Sequence, residues 1–353
     1  MPERPQYRII YNWDGAPHGY SPAPQSMAAF LEKAYAPLED TQVDALFWSC
    51  GGQGSRWPSE VLEFIGEAEG RRYKSASAYT GTENIRQMYD RGEDPQVALI
   101  ERGHELGIDV YASVRMNDNH FWDLRPADLA TAQKPELTAM RKEHPEWVLG
   151  LEQAPGWCST SWNLAVPEVR DYKGGLLREM AERYDFDGYQ IDFHRHLPVL
   201  PVGRQWELRD SVTDLMRRVR EMLLEASAAK NRPILLSAKV PRSLEVCRAD
   251  GFDVVRWVQE GLVDMLTLGS RSYDVDIEGY RAALGPSVKL YPCLDDHHTS
   301  DAYQFPPVEV FRGVASSWWR RGADGIETFN WYGGSLPESS AARGAKPGPE
   351  SQR

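Results

Sequence analysis

Paired cysteines are missing from this 353-residue sequence. Its four cysteines, Cys50, Cys158, Cys247 and Cys293, stand singly with no CxxC pair, so neither a zinc knuckle nor a disulfide framework is expected and all four read as free thiols. A basic excess is missing too. The formal net charge of -12 excludes a general grip on DNA or RNA, which is mostly a cationic effect. No apolar run is long enough to cross a bilayer, and the opening "MPERPQYRIIYNWD" lacks the apolar core of a secretory signal. The expectation is a soluble chain in the cytoplasm with no membrane or nucleic-acid partner; a leader removed from a longer form would change the compartment but not the chemistry.

What is present is material for a large core. With 41% hydrophobic and 11% aromatic residues, the chain can form two ordinary domains or one large barrel. Eight short apolar segments recur along it: "YRIIYNW", "VDALFWS", "IDVYASV", "DGYQIDF", "PILLSAKV", "VDMLTLG", "VKLYPCL" and "DGIETFNW". Runs of this length bounded by polar residues or glycine fit buried parallel strands. Helical patterns separate them. Leu208, Val212, Leu215, Val219 and Met222 form one apolar stripe at steps of four and three, and "PEVRDY" opens another helix, with Pro167 in the first turn and the end near Tyr184. A late helix carries Val310, Phe311, Val314 and Trp318 before "RRGADGIETF", so helix, DG turn and strand repeat the arrangement of "ERYDFDGYQIDF". The alternation predicts a (β/α)8 TIM barrel with a long insertion, Phe121 to Asn163, after the third strand. A doubly wound sheet is the competitor, but "NWDGAPHGYSP" stands where its glycine-rich phosphate loop belongs. Residues 1–335 are expected to form one catalytic barrel, and 336–353 a disordered tail.

Alternate side chains of a barrel strand point inward, and those at its C-terminal end face the active site. In "YDFDGYQIDFHRH" this puts Gln190 and Asp192 inside, with Asp192 near the mouth and His194 and His196 on the loop beyond. Asp187 and Gly188, at the other end of the strand, read as turn residues. The third strand ends in Arg115, Asn117, Asp118, Asn119 and His120, and the seventh in Asp295, Asp296, His297 and His298. Asp14 follows Trp13 at the end of the first strand. Trp13, Trp48, Trp57, Trp122, Trp157, Trp162 and Trp331 lie at or near strand ends. Flat aromatic faces beside carboxylate, amide and imidazole groups suit a sugar, whose C–H faces stack while its hydroxyls need partners. The plainer alternatives are an N-cap or arginine partner for Asp192 and core packing for each tryptophan.

Glycoside hydrolysis needs one carboxylic acid to protonate the leaving oxygen and one carboxylate as nucleophile or base. Asp192 is the choice for the ionised group, and Asp296 or Asp295 for the acid. Glu327 has two readings, as a catalytic carboxylate or as the counter-charge of Lys239 or Arg115 inside the barrel; aligning the two DG segments sets it level with Gln190, two residues deeper than Asp192. Substrate contacts are expected from Trp13, Asp14, Arg115, Asn117, Asp118, His120, His194, His196, Lys239, Asp295, His297 and Trp331.

The segment "NLAVPEVRDYKGGLLREMAERYDFDGYQIDFHRH", with "GIDVYASVRMNDNHF" before it, resembles the glycosyl-hydrolase-like TIM-barrel proteins, distant relatives of the alpha-amylases. The likeness runs from "NWDG" to "FNWYG" and is most specific between Pro167 and Asp192. It implies that Asp192 corresponds to the amylase-type nucleophile and His120 to a substrate-contacting histidine. Departures from the amylase pattern are Gln190, where an arginine precedes the nucleophile by two, and "LLSAKVPRS", which offers Lys239 where the family takes its acid from a glutamate. The seventh-strand "DDHH" is only loosely similar to the amylase "HD".

Two rivals remain. "HRH" and "DDHH" could ligate zinc, manganese or iron in a metal-dependent barrel hydrolase, although the HxH pair that often follows the first strand of such enzymes is missing from "NWDGAPH". A carbohydrate-binding barrel without turnover is the other. The expected function is a glycoside hydrolase acting on an oligosaccharide or glycoconjugate, with no metal and no cofactor.

Overall fold

Each of the eight apolar segments becomes a strand in the structure, a computed structural model that describes residues 5–13, 23–73, 75–154, 156–270, 272–295 and 307–329. They are β1 (Ile9–Trp13), β2 (Val43–Ser49), β3 (Asp109–Arg115), β4 (Gly188–Asp192), β5 (Leu235–Val240), β6 (Met265–Leu268), β7 (Lys289–Asp295) and β8 (Ile326–Phe329). Every strand pairs in parallel with its neighbours in sequence, and β8 closes onto β1. The chain is therefore a (β/α)8 barrel, as the alternation predicts.

The intervening helices form where the apolar stripes predict them. Helix Pro167–Arg183 starts with proline in its first turn and buries Val169, Tyr172, Leu176, Leu177 and Met180. Helix Arg209–Lys230 buries Val212, Leu215, Val219 and Met222, and ends at Asn231 in the left-handed conformation, φ 50°. Both pack their apolar faces on the barrel wall. Helix Val308–Arg320 buries Phe311 and Trp318 before β8. Among the described residues no helix is long and apolar enough to cross a membrane. None of the four cysteines forms a disulfide, and all four are buried.

The DG repeat belongs to a wider pattern at the bottom of the barrel. Asp44, Asp187, Asp264 and Asp324 each stand at or just before the start of an even-numbered strand. Each accepts a hydrogen bond from a backbone N–H at the start of the preceding strand: Arg8 at 2.5 Å, Val110 at 2.8 Å, Leu236 at 2.9 Å and Leu290 at 2.9 Å. An aspartate thus ties each odd strand to the next even one, which gives the barrel a fourfold repeat of strand pairs. Glycine follows two of these aspartates for steric reasons: a Cβ on Gly188 would lie 2.2 Å from the Tyr111 ring, and one on Gly325 2.1 Å from the Tyr7 carbonyl. Tyr7, Phe47, Tyr111 and Tyr291 pack together as an aromatic floor.

Above the floor lies a polar layer, and above that the mouth. The insertion after β3 is held over the mouth by short helical turns, and Arg141 in it stacks between Phe121 and Trp162, 5.0 and 4.5 Å from the ring centres.

Candidate functional site

Strand register places the central side chains. Arg115, Asp192 and Lys239 are partners across β3, β4 and β5, so their side chains stand side by side on the inner face. Asp192 is 1% exposed. Its Oδ1 accepts the backbone N–H groups of His194 at 2.9 Å and Arg195 at 3.1 Å, a turn that locks the carboxylate plane. Its Oδ2 accepts no hydrogen bond among the described residues. The capping alternative and the catalytic one are thus divided between two oxygens of one group. A pocket of about 450 Å³ opens here, lined by Asp192, His194, Arg195, His196, Lys239 and Phe329 among others.

One layer down, Glu327 sits level with Gln190, as the alignment of the two DG segments predicts. It is fully buried and saturated: it accepts from Lys239 Nζ at 2.8 Å, Gln190 Nε2 at 2.7 Å, Thr267 Oγ1 at 2.6 Å and Asn12 Nδ2 at 3.4 Å. This is the counter-charge geometry of the two readings. Lys239 also lies 3.8 Å from the centre of the Phe329 ring. Burial alone would lower its ammonium pKa, but the Cys293 sulfur, Glu327 and Asp192 around it raise the pKa above its ordinary value.

The β3 end folds back over the loop after β4. Asn117 donates to the carbonyls of His196 at 3.0 Å and Pro198 at 2.8 Å, and accepts the Trp162 N–H at 2.8 Å. This amide was expected to contact substrate; its hydrogen-bonding capacity is instead spent on tying two loops together. His196 is held at φ 59°, a left-handed conformation uncommon outside glycine. Its Nδ1 lies 2.9 Å from the Asn119 backbone N–H and 3.1 Å from Asp118 Oδ1. Burial, with Arg195 nearby, lowers its pKa.

Asp118 lies between basic groups: Arg115 at 3.6 Å, Arg195 at 3.5 Å, His120 at 3.4 Å and His196 at 3.1 Å. Burial opposes its charge, but the His120 imidazole, Arg115 and the other basic neighbours outweigh this and hold its carboxyl well below the usual carboxylate range. An acid so held is a poor proton donor. The ligand-capable atoms of Asp118, His120 and His196 lie within 4.8 Å of one another, the spacing of a metal site. One feature makes it a poor one: two guanidinium groups crowd the carboxylate.

The tryptophans divide sharply. Trp13, Trp48, Trp57 and Trp162 are at most 5% exposed and belong to the core, Trp13 packing on Trp48 with ring centres 5.6 Å apart. The sugar-stacking expectation does not fit these four. Trp122, beside His120 in the insertion, is 66% exposed. Asp295 is fully buried at the end of β7. Asp14, Asp296, His297, His298 and Trp331, and the Trp157 side chain, lie outside the described residues. Arg195 sits between the two histidines of "HRH", but a charged loop residue has no periodicity to mark it as functional. Phe329, the aromatic wall of the pocket, was hidden as one more strand residue.

Solved structures share this architecture at low sequence identity. The PgaB (BpsB) glycoside hydrolase domain from Bordetella bronchiseptica superposes with a TM-score of 0.61 at 12% identity, covering 96% of this chain and 98% of that one. The catalytic domain of psychrophilic chitinase B from Arthrobacter TAD20 gives 0.53 at 12% identity, over 98% and 97%. Alpha-L-fucosidase isoenzyme 2 from Paenibacillus thiaminolyticus gives 0.56 at 14% identity over 96% of this chain, which spans about half (48%) of that protein. These likenesses establish the fold. No curated protein matches the chain by sequence. The sequence pattern of one family, described as Glycosyl hydrolase-like 10, matches residues 32–209, the stretch that runs through β2, β3, the insertion and β4 with Asp192 and the HRH loop. The chain belongs to the glycosyl hydrolase-like 10 family and is a glycosyl-hydrolase-like (β/α)8 barrel.

Proposed function

We propose that the protein is a glycoside hydrolase that cleaves O-glycosyl bonds of an oligosaccharide or glycoconjugate at the C-terminal mouth of a single barrel domain, residues 1–335. One observation carries the reading: Asp192 presents a buried carboxylate oxygen, with no donor among the described residues, to a pocket of sugar-sized volume, about 450 Å³. Such an oxygen is desolvated, fixed by its partner oxygen and available to attack an anomeric carbon or take a proton from water.

Asp296 is our candidate for the proton donor. It follows Asp295, whose register partner is Phe329, a wall of the pocket. Glu327 we assign to positioning, since its four hydrogen bonds leave it no proton to give. His194, His196 and Lys239 would contact the sugar, and Trp122 offers an exposed ring for stacking at the rim.

The test is product release from a panel of α- and β-linked oligosaccharides. Wild type should turn over at least one member, Asp192→Asn should lose roughly 1,000-fold or more in kcat with its fold intact, and a chelator should change nothing. Full activity in Asp192→Asn would refute the assignment.

A further inference from the structure

Arg195 is the group that the proposed hydrolysis leaves without a task. Its backbone N–H serves Asp192, but its guanidinium makes no hydrogen bond among the described residues, although it lines the pocket and its side chain is only 16% exposed. Its nearest charge is Asp118 Oδ1 at 3.5 Å, and Phe329 lies beneath it, 5.9 Å from guanidinium carbon to ring centre. Asp118 gives it a charge contact at Oδ1 but no hydrogen bond, and the other oxygen of the same carboxylate faces Arg115 at 3.6 Å. Behind them lie Arg141 and Lys173, both buried and both within the electrostatic reach of Asp118.

Three guanidinium groups, of Arg115, Arg141 and Arg195, therefore stand against the carboxylates of Asp118 and Asp192 here, in a chain whose net charge is -12. A neutral sugar would leave that excess uncompensated and a planar fork of donors in a partly dry pocket. An anionic group would answer both, since a carboxylate or sulfate ester accepts two parallel N–H bonds from a guanidinium. The same excess disfavours a divalent cation.

We infer that the pocket binds an acidic sugar, with the Arg195 guanidinium taking the carboxylate or sulfate of a residue seated next to Asp192. The inference rests on the reading of this mouth as a sugar site and names its substrate class. It assigns to Arg195 a role in selecting substrate, not in the chemical step.

Binding tests it independently of turnover. Matched pairs of oligosaccharides are used: uronate-containing chains against their carboxyl-reduced neutral counterparts, and sulfated chains against desulfated ones, titrated calorimetrically into the full chain carrying Asp192→Asn. The anionic member of at least one pair should bind about 10- to 100-fold more tightly, and which pair does so tells carboxylate from sulfate. Arg195→Gln should collapse that ratio toward one, Arg195→Lys should restore part of it, and raising the salt from 0.05 to 0.5 M should shrink it. Equal binding of both members in every pair, no binding of any anionic member, or a preference that survives Arg195→Gln would overturn the inference. Anionic preference without turnover of any substrate by wild type would refute the hydrolase reading alone, and turnover without anionic preference would refute this inference alone.

Discussion

Replacing Glu327 by glutamine separates its two readings, because the change keeps the shape of the side chain and removes only its charge and one acceptor. In the folded protein four nitrogen and oxygen donors converge on the carboxylate, at 2.6 to 3.4 Å, with the Cys293 thiol at 3.9 Å, and one of them is the Lys239 ammonium, which is itself buried. With glutamine, whichever way the amide turns, an NH2 group faces a donor, and the buried Lys239 loses the carboxylate it is bonded to. Removing one partner of a buried pair costs about 3–5 kcal/mol. For a barrel of this size that corresponds to a fall in Tm of roughly 4–7 °C. The assay is thermal unfolding by circular dichroism at a fixed scan rate, with turnover of the folded fraction measured at 25 °C. The double variant Glu327→Leu with Lys239→Met, which removes both charges, should recover much of the loss, since buried pairs contribute little net stability over apolar packing. A Glu327→Gln protein that melts within 1 °C of wild type yet has lost turnover would refute the argument and return Glu327 to the chemistry as the acid.

Two further predictions concern residues around the mouth. Lys173 is buried, and burial, with Arg141 adjacent, lowers its pKa to about 7. The unfolded chain holds that proton up to about pH 10.4, so between these values it binds more protons than the folded state and stability rises with pH. Lys173→Met should therefore stabilise the protein at pH 7 and below, by an amount on the order of 4 kcal/mol, and the gain should fade as pH approaches 10.4; a gain that is absent at pH 6, or as large at pH 11, would refute the linkage. Asn117→Ala removes three hydrogen bonds that join the β3 end, the HRH loop and the insertion, at a cost of about 2–4 kcal/mol. Amide hydrogen exchange should speed up around residues 193–200, and unchanged exchange there would show that the loop holds itself.

The barrel itself was legible from local pattern. Burial on both faces of a parallel strand writes continuous apolar runs such as "PILLSAKV", and a helix resting on the barrel writes a stripe such as Val212, Leu215, Val219 and Met222. The DG repeat was visible in the sequence as well, but the close approaches that require glycine at 188 and 325 come from neighbouring segments, Tyr111 in β3 and Tyr7 just ahead of β1. Inner parity put Asp192 at the mouth because alternation along a strand is a property of the chain, not of its neighbours.

What no window of sequence contains is which groups meet across the barrel. Glu327 and Lys239 are 88 residues apart and Asn117 lies 79 from His196, so their pairing follows from closure of the sheet and the fold of the insertion. Tertiary packing likewise decided that Trp13, Trp48, Trp57 and Trp162 are core while Trp122 faces solvent, since an aromatic ring at a strand end serves equally well in either place until its neighbours are known. Arg195 is the clearest case. In sequence it is one charged residue among forty lysines and arginines; that its guanidinium lines the pocket and shares Asp118 with Arg115 from another strand was set by tertiary structure alone.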